Sequence, residues 1–417
     1  MKAHSPISHR LAPALAMSVN LSLMTPYRGL SRLLIAASIL FGLPATAVSS
    51  EQPVVRIELY TMGPGDYLFS KFGHAALCVS DTEWRDGRCF NYGAADFSTP
   101  GPLTWAVLRG RAQFWVSVAP LDRMLDLYRA EDRSIYRQVL PLNGDQAAEL
   151  KRALATNALP ENRRYLYDHF LDNCSTRPRD HIDRATSGAL RAVPGSSVDD
   201  SFTFRALIRQ NLENDPVYFL VAEMFLGRPM DRARSEYEAM FLPHVLRDAV
   251  QKNLRVAPEV VYARRASIRS RPSLVVAYRL ALALGVGIAG GLTILMSSPR
   301  VSTGLQSLFA CLFGTLGCTV WALAILSPLP ELRFNEILFV FLPTDFLLLL
   351  GSKRVTFLSV GISAGIYAGI RVAGLVLVAL LLLSGVLIQP LGTFLALTLP
   401  VLSAAWARAL APSPQAR

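Results

Sequence analysis

Acidic residues nearly vanish from the last third of this 417-residue chain. Beyond Arg271 only Glu331, Glu336 and Asp345 remain. Charge is scarce throughout, at 18% of residues against 52% hydrophobic. A disordered chain needs the reverse balance, so disorder is excluded. The mean hydropathy of +0.33 argues against a purely soluble enzyme. Five cysteines are too few for a disulfide scaffold of this length. The sequence has no internal repeat, no low-complexity segment, no metal-ligand spacing and no phosphate-cradling glycine loop. No metal or other cofactor is expected. Two or three domains fit the length. The net charge of +11 raises nucleic acid as a partner, so the position of the basic residues must decide.

The chain opens on an export pattern. Arg28 is a basic flank, Leu33 to Leu43 an apolar core, and Ala45-Thr46-Ala47 a small-residue cleavage site. Residues 1–47 are expected to be a signal peptide, with Met24 a more typical start than Met1. Export to a bacterial periplasm permits disulfides and removes nucleic acid as a partner.

Membrane-length apolar runs fill residues 271–417. They are Leu274 to Met296, Leu305 to Leu326, Val372 to Ile388, and Leu391 to Ala409 with Pro400 inside. Ile337 to Leu350 is shorter and holds Pro343 and Asp345, so it either spans or re-enters. A five-span reading puts Arg300, Lys353, Arg354 and Arg408 inside, as the positive-inside rule asks. The run Arg264, Arg265, Arg269 and Arg271 falls outside; it either meets anionic headgroups or is solvated. Asp345 is a candidate intramembrane functional acid or a helix-end residue at the interface. Cys311 and Cys318, seven apart on one helix face, are expected to be packing residues.

Residues 48–270 read as a mixed α+β domain. Strands are expected at Val54 to Met62, Gly73 to Ser80, Arg88 to Ala94, Ala112 to Ala119 and Ser134 to Leu140. Helices are expected at Leu121 to Arg129 and from Asn143, with Gln146 completing a capping box. Residues 202–250 read as mainly helical, broken at Pro216 and Gly227.

His74 lies on a strand, and Cys174 in the polar run Asp172-Asn173-Cys174-Ser175-Thr176-Arg177. That run reads as a helix N-terminus, where the macrodipole together with Arg177 and Arg179 lowers a thiol pKa. A strand histidine can serve as its base. Packed cysteine and hydrogen-bonded core histidine is the alternative. His169 and His181 read as surface residues, and His244 shows no partner.

Gly73-His74, Asn91-Tyr92-Gly93, Tyr167 through Asn173-Cys174-Ser175-Thr176-Arg177, Asp180 and Phe241-Leu242-Pro243 together resemble the Lnb-type apolipoprotein N-acyltransferases. The resemblance continues through Asn335 to Leu350. It implies a permuted papain-like exported domain, similar to NlpC/P60 and lecithin:retinol acyltransferase folds, followed by an all-α transmembrane bundle. Cys174 becomes the nucleophile, His74 the base and Asn91 the residue that orients it. Asn91 falls diagonal to His74 if Cys78 pairs with Cys89, but a tight turn at Asp86-Gly87 would move it away. The same register decides a Cys78–Cys89 disulfide. Tyr92, Tyr167, Asn173 and Arg177 are lesser candidates for the acyl site or the oxyanion, Arg177 alternatively pairing with Asp180. Asp168 is a turn residue or a site residue.

The implied reaction moves an acyl chain from a membrane phospholipid, through a cysteine thioester, to a lipoprotein N-terminal amine. The implied location is the bacterial inner membrane with the catalytic domain in the periplasm. A tethered NlpC/P60-like cell-wall peptidase or amidase, and a non-catalytic lipoprotein-handling module, are the alternatives.

Overall fold

The computed structural model describes residues 54–410, apart from 68–69, 192–198, 213–214, 267–273, 295–298, 351–354 and 358–359. The expected signal segment lies outside the described residues. The strands β1 (Arg56–Met62), β2 (His74–Ser80) and β3 (Arg88–Ala94) come first. Then follow α1 (Pro100–Leu108), β4 (Gln113–Pro120), α2 (Leu121–Ala130), β5 (Ile135–Val139) and α3 (Gly144–Asn157). Next are β6 (Arg164–Leu166), α4 (Thr176–Ala185), β7 (Asp199–Thr203), α5 (Phe204–Leu212) and α6 (Pro216–Phe225). The N-terminal domain closes with β8 (Ala233–Arg234), α7 (Glu236–Ala239), α8 (Pro243–Leu254) and β9 (Glu259–Tyr262). The sequence reading misses α1, the three-residue β6, the β7–β8 pair and the edge strand β9, which are too short or too irregular to carry a period.

Seven strands form one antiparallel sheet in the order β6-β4-β3-β2-β1-β5-β9. Its middle strands are covered on both faces, which is why RIELYTM and HAALCVS carry so little exposed surface. On one face Leu77, Val79, Phe90 and Tyr92 pack with Leu150 and Leu154 of α3, Ile182 of α4 and Leu246 of α8. On the other, Ala76, Cys78 and Cys89 pack with Tyr60, Met62 and the α2 residues Met124 and Tyr128. Cys78 stands opposite Cys89 in the β2–β3 register and is disulfide-bonded to it. That register resolves the open turn question and sets Asn91 opposite Ala76, diagonal to His74. The capping box of Asn143 and Gln146 forms as expected.

The C-terminal part comprises α9 (Leu274–Ile294), α10 (Pro299–Leu326), the hairpin β10 (Val355–Phe357) and β11 (Val360–Ile362), α11 (Ala364–Leu383) and α12 (Gly392–Leu410). Three described helices are long and apolar enough to cross a membrane, Thr303–Leu326, Ala364–Leu383 and Gly392–Leu410. Small residues let α9 and α12 approach closely: a Cβ on Gly285 would fall 2.4 Å from the Ala396 carbonyl oxygen. The third apolar run begins earlier than its hydropathy suggests. It starts at Ala364 rather than Val372 and takes Arg371 into the bundle, where that residue is buried.

Ile337 to Leu350 forms no α-helix. It makes two 3-10 segments, Glu336–Phe339 and Pro343–Leu350, and still runs the length of the bundle. Its contacts march antiparallel down α10. Trp321 donates to the Leu338 carbonyl, Gly317 lies under Leu342 and Pro343, Gly314 under the Phe346 ring, and Gln306 donates to the Leu348 carbonyl. Between Gln306 and Trp321, α10 rises about 22 Å. A 3-10 rise of about 2.0 Å per residue takes Leu338 to Leu348 over about the same distance. The short run therefore follows α10 over this stretch as 3-10 turns, not as an α-helix.

The break between the two 3-10 segments leaves backbone groups that an apolar surrounding cannot satisfy. Arg371 and Asp345 supply the partners. The Arg371 guanidinium donates to both Asp345 oxygens, at 2.6 and 3.2 Å, and to the Val340 carbonyl at 2.6 Å. Asp345 accepts the Leu342 N–H and the Tyr367 hydroxyl. Asp345 lies in the first turn of the second 3-10 segment, fully buried and paired.

The bundle is docked to the N-terminal domain at the end where α10 and α11 stop and α12 starts. Ser327 donates to the Leu108 carbonyl, Asn335 to Met224 and Gln389 to Leu226. Arg228 pairs with Glu336, whose second oxygen accepts the N–H groups of Ile388 and Gln389.

Breaking the buried pair on one side leaves a bare charge. Arg371→Met is expected to cost about 3–5 kcal/mol. Arg371→Met with Asp345→Leu should recover much of that loss. Thermal melting of the full chain in detergent checks the order; equal melting of the single and double variants would refute the pairing role.

Candidate active site

His74 opens β2, directly after Gly73. Gly73 has φ +82, and a Cβ there would meet the Met62 carbonyl at 2.6 Å. Only glycine makes that entry, so the histidine's placement begins with its neighbour. The His74 Nε2 lies 3.3 Å from Asn91 Oδ1. Asn91 Nδ2 donates to the Cys89 carbonyl, which turns its Oδ1 toward the histidine. An oxygen facing Nε2 calls for a proton there, and so leaves the lone pair on Nδ1. The ring also stacks on Tyr128, with centroids 5.9 Å apart.

Cys174 sits at the end of a loop held almost wholly by its own side chains. Asp168 accepts the N–H groups of Phe170 and Leu171, a turn residue as one reading had it. Asn173 accepts the N–H groups of Ser175 and Thr176, and its Nδ2 donates to the carbonyls of His169 and Phe241. Ser175 donates to the Met240 carbonyl. The Phe241-Leu242-Pro243 stretch thus grips the cysteine loop, while the Pro243 ring comes within 3.4 Å of a Cβ built on Gly73. One short segment braces both the residue before His74 and the residue before Cys174.

Two backbone positions locate the sulfur against the β2–β3 hairpin. The Ala75 N–H, next to His74, reaches the thiol. Gly93, two residues after Asn91, has φ +88, and a Cβ there would stand 3.2 Å from Cys174 Cβ.

Burial pushes the Cys174 thiol up to about 11, against the Ala75 N–H, the Arg133 charge and its own N–H, which all favour thiolate. The expectation of a thiol lowered by a helix N-terminus is therefore corrected. Helix α4 begins at Thr176 with Ser175 as its cap, so Cys174 lies just before the cap, and desolvation outweighs the groups that favour thiolate. Burial, then Arg133, hold His74 down at about 4, with the Asn91 bond opposing them. At neutral pH the site rests as neutral thiol and neutral imidazole.

The remaining candidates are committed elsewhere. The Tyr92 hydroxyl bonds to Asn157 Oδ1 at 2.9 Å and His181 Nε2 at 2.8 Å. Arg177 pairs with Asp172 instead of Asp180 and lies over the Tyr165 ring. Asp180 takes Arg179 and the Tyr237 hydroxyl. Tyr167 stacks on Phe114, its hydroxyl 3.4 Å from His169 Nδ1. His169 and His181 are not surface residues: His169 packs edge-on against Phe72, Phe170 and Phe241, and His181 is bound to Tyr92 and Asn157. His169 lies in a loop and His181 on the polar helix α4, so no apolar period marked either. Tyr128 and Arg133 are the site residues that sequence reasoning missed; Gly93 and Phe241 stood in it only as parts of the resemblance, with no role.

Arg264 turns inward too. It pairs with Asp66 and donates to the Pro64 carbonyl, so it fastens the domain's exit segment. No group of residues that could hold a metal occurs among the described residues.

Residues 48–210 match the family described as the Lnb N-terminal periplasmic domain. This stretch is a member of that domain family, which supports the Lnb-type resemblance, and the three apolar C-terminal helices fit it. The chain is a membrane protein with a periplasmic domain of mixed α/β structure. Neither the curated proteins nor the solved structures searched give a match.

Burial depresses His74, His169 and His181 alike to about 4, from an ordinary value near 6.5. A depressed pKa gives stability that is complete above 6.5 and lost as pH falls through 4. Melting of the full chain in detergent should therefore drop between pH 7 and pH 4.5. His181→Gln, which keeps a partner for Tyr92, should flatten the drop, and a pH-independent midpoint would overturn the assignment.

Proposed function

We propose that the protein is a membrane acyltransferase in which Cys174 carries the acyl group, His74 moves the proton and Asn91 orients the histidine. The observation that carries this reading is the oriented His74–Asn91 pair beside a thiol that meets Ala75 and Gly93 of the same hairpin. A histidine strand that precedes the cysteine loop in the chain also supports the permuted papain-like architecture. The donor in this reading is a phospholipid of the bacterial inner membrane, and the acceptor is the N-terminal amine of a lipoprotein.

The steps follow from the groups. As Sγ attacks the ester carbonyl, its proton passes to Nδ1 of His74 and the carbonyl π pair moves onto oxygen. Collapse of that oxyanion breaks the ester C–O bond, and His74 returns the proton to the leaving lyso-lipid oxygen. The amine then attacks the thioester, its proton is taken up by His74, and the thiolate leaves to be reprotonated. Asn91 keeps Nε2 protonated, so Nδ1 faces the work throughout. The bundle supports the choice of substrates, because both are delivered in the bilayer that the apolar helices would cross.

Intact-mass measurement of the detergent-solubilised chain with phospholipid is the direct test. Wild type should carry an acyl adduct on the Cys174 peptide that hydroxylamine removes. Cys174→Ala should carry none, and His74→Ala should form it at least about 100-fold more slowly. Muropeptide cleavage without an acyl-enzyme would sink the proposal in favour of a peptidase. Normal lipoprotein acylation in a Cys174→Ala strain would sink it in favour of a non-catalytic module.

A further inference from the structure

A site that rests neutral must hold a negative charge once the thiol attacks. Each oxyanion candidate drawn from sequence already has a partner: Asn173 on two carbonyls, Tyr92 on Asn157 and His181, Tyr167 on His169, Arg177 on Asp172. Arg133 is different. It lies in the turn between α2 and β5 and is only 4% exposed. Its Nε donates to the Gly63 carbonyl at 2.9 Å, and its Nη1 to Glu131 at 3.1 Å. Its Nη2 is buried with no hydrogen-bond partner among the described residues. Leaving a guanidinium N–H unmade in a desolvated place is costly, and a ligand oxygen would relieve it.

The position is the site's own. Gly63 follows Met62, the residue paired across the sheet with His74. The Arg133 guanidinium stands 4.7 Å over the Tyr128 ring, and that ring stacks on His74. Its charge is felt at both Cys174 and His74, favouring an anion on the one and opposing a cation on the other. An imidazolium is thus a poor counter-charge here, and the arginine is the cation fixed in place before reaction.

We infer that Arg133 is a further catalytic residue, whose Nη2 donates to the oxyanion formed when Cys174 adds to an ester carbonyl. The role rests on the acyl-transfer reading above. It places charge at one point of the cycle: the π pair arriving on the carbonyl oxygen meets a preset donor, and returns to carbon as the C–O bond breaks.

Two measurements on the full chain in detergent separate this role from folding and from the function itself. The first is the rate of Cys174 alkylation by iodoacetamide at one alkaline pH, read on its own peptide. Arg133→Met should slow it by about tenfold, since losing a nearby cation lowers the thiolate fraction, whereas Arg133→Lys should keep it within about threefold. The second is formation of the hydroxylamine-sensitive acyl adduct. Arg133→Met should slow it by about 100- to 1000-fold. Arg133→Lys keeps charge without the fork and should slow it by at least about tenfold. Glu131→Gln, which removes only the exposed partner, should stay near wild type in both. Should Arg133→Met not fold, Arg133→Lys decides alone: unchanged alkylation with slowed acylation supports the role. Acylation by a folded Arg133→Lys or Arg133→Met within about threefold of wild type would overturn it and leave the acyl-transfer reading standing. Absence of adduct in wild type overturns both.

Discussion

Desolvation sets the terms at both ends of this molecule. A polar group taken from water must be neutral or partnered. At the site, burial keeps the Cys174 proton on sulfur and keeps protons off His74. In the bundle the same cost works on groups that cannot be neutralised so easily, and it drives Arg371 onto Asp345. The outcome differs because the chemistry differs. An arginine holds its proton, so it demands a carboxylate; a thiol and an imidazole can each give up charge.

Polar fastenings join the two ends. Asp132 holds φ +49 while accepting the Tyr262 hydroxyl and the N–H groups of Arg265 and Ala266, and those bonds hold its carboxyl down at about 2. Arg264 adds Asp66 and the Pro64 carbonyl from the loop after β1, and its own N–H donates to Ser134. Arg133 lies between Asp132 and Ser134. Residues 264–266 are therefore fixed to the turn that carries the site's unpaired guanidinium nitrogen. On the far side, Asn335, Glu336 and Gln389 clamp the bundle to the stretch after α6. Motion of the bundle relative to the domain would have to break one set or the other.

Sequence carried much of this, and where it failed the reason is physical. Strands β1 to β5 were legible because alternation and β-branched residues survive without tertiary context. The capping box at Asn143 was legible because its partners are three residues apart. His74 and Cys174 stood out as chemistry-bearing types in polar surroundings, and the Cys78–Cys89 register fixed Asn91 once the hairpin was paired. Arg133 was invisible, since its importance lies in one nitrogen left unmade. The thiol's direction of shift was misread because the helix start and the depth of burial are both tertiary facts. Arg371 was missed because a charge amid apolar residues looks like the end of a span until its partner, 26 residues away in sequence, is seen beside it.

A neutral resting site has a consequence for the choice between water and an amine. A site with a standing thiolate would attack any carbonyl that reached it. Here the charge must be made during the reaction, and it is stabilised only while a carbonyl oxygen sits against a preset donor. Solvent water would erode that stabilisation, because it screens the guanidinium and solvates the thiol. The same burial that raises the thiol to about 11 therefore also protects the thioester in the proposed cycle. A peptidase needs the opposite, a site open enough for water to reach the acyl carbon. Part-burial of Cys174 within a domain docked onto apolar helices fits a reaction whose second substrate enters from lipid rather than from bulk solvent.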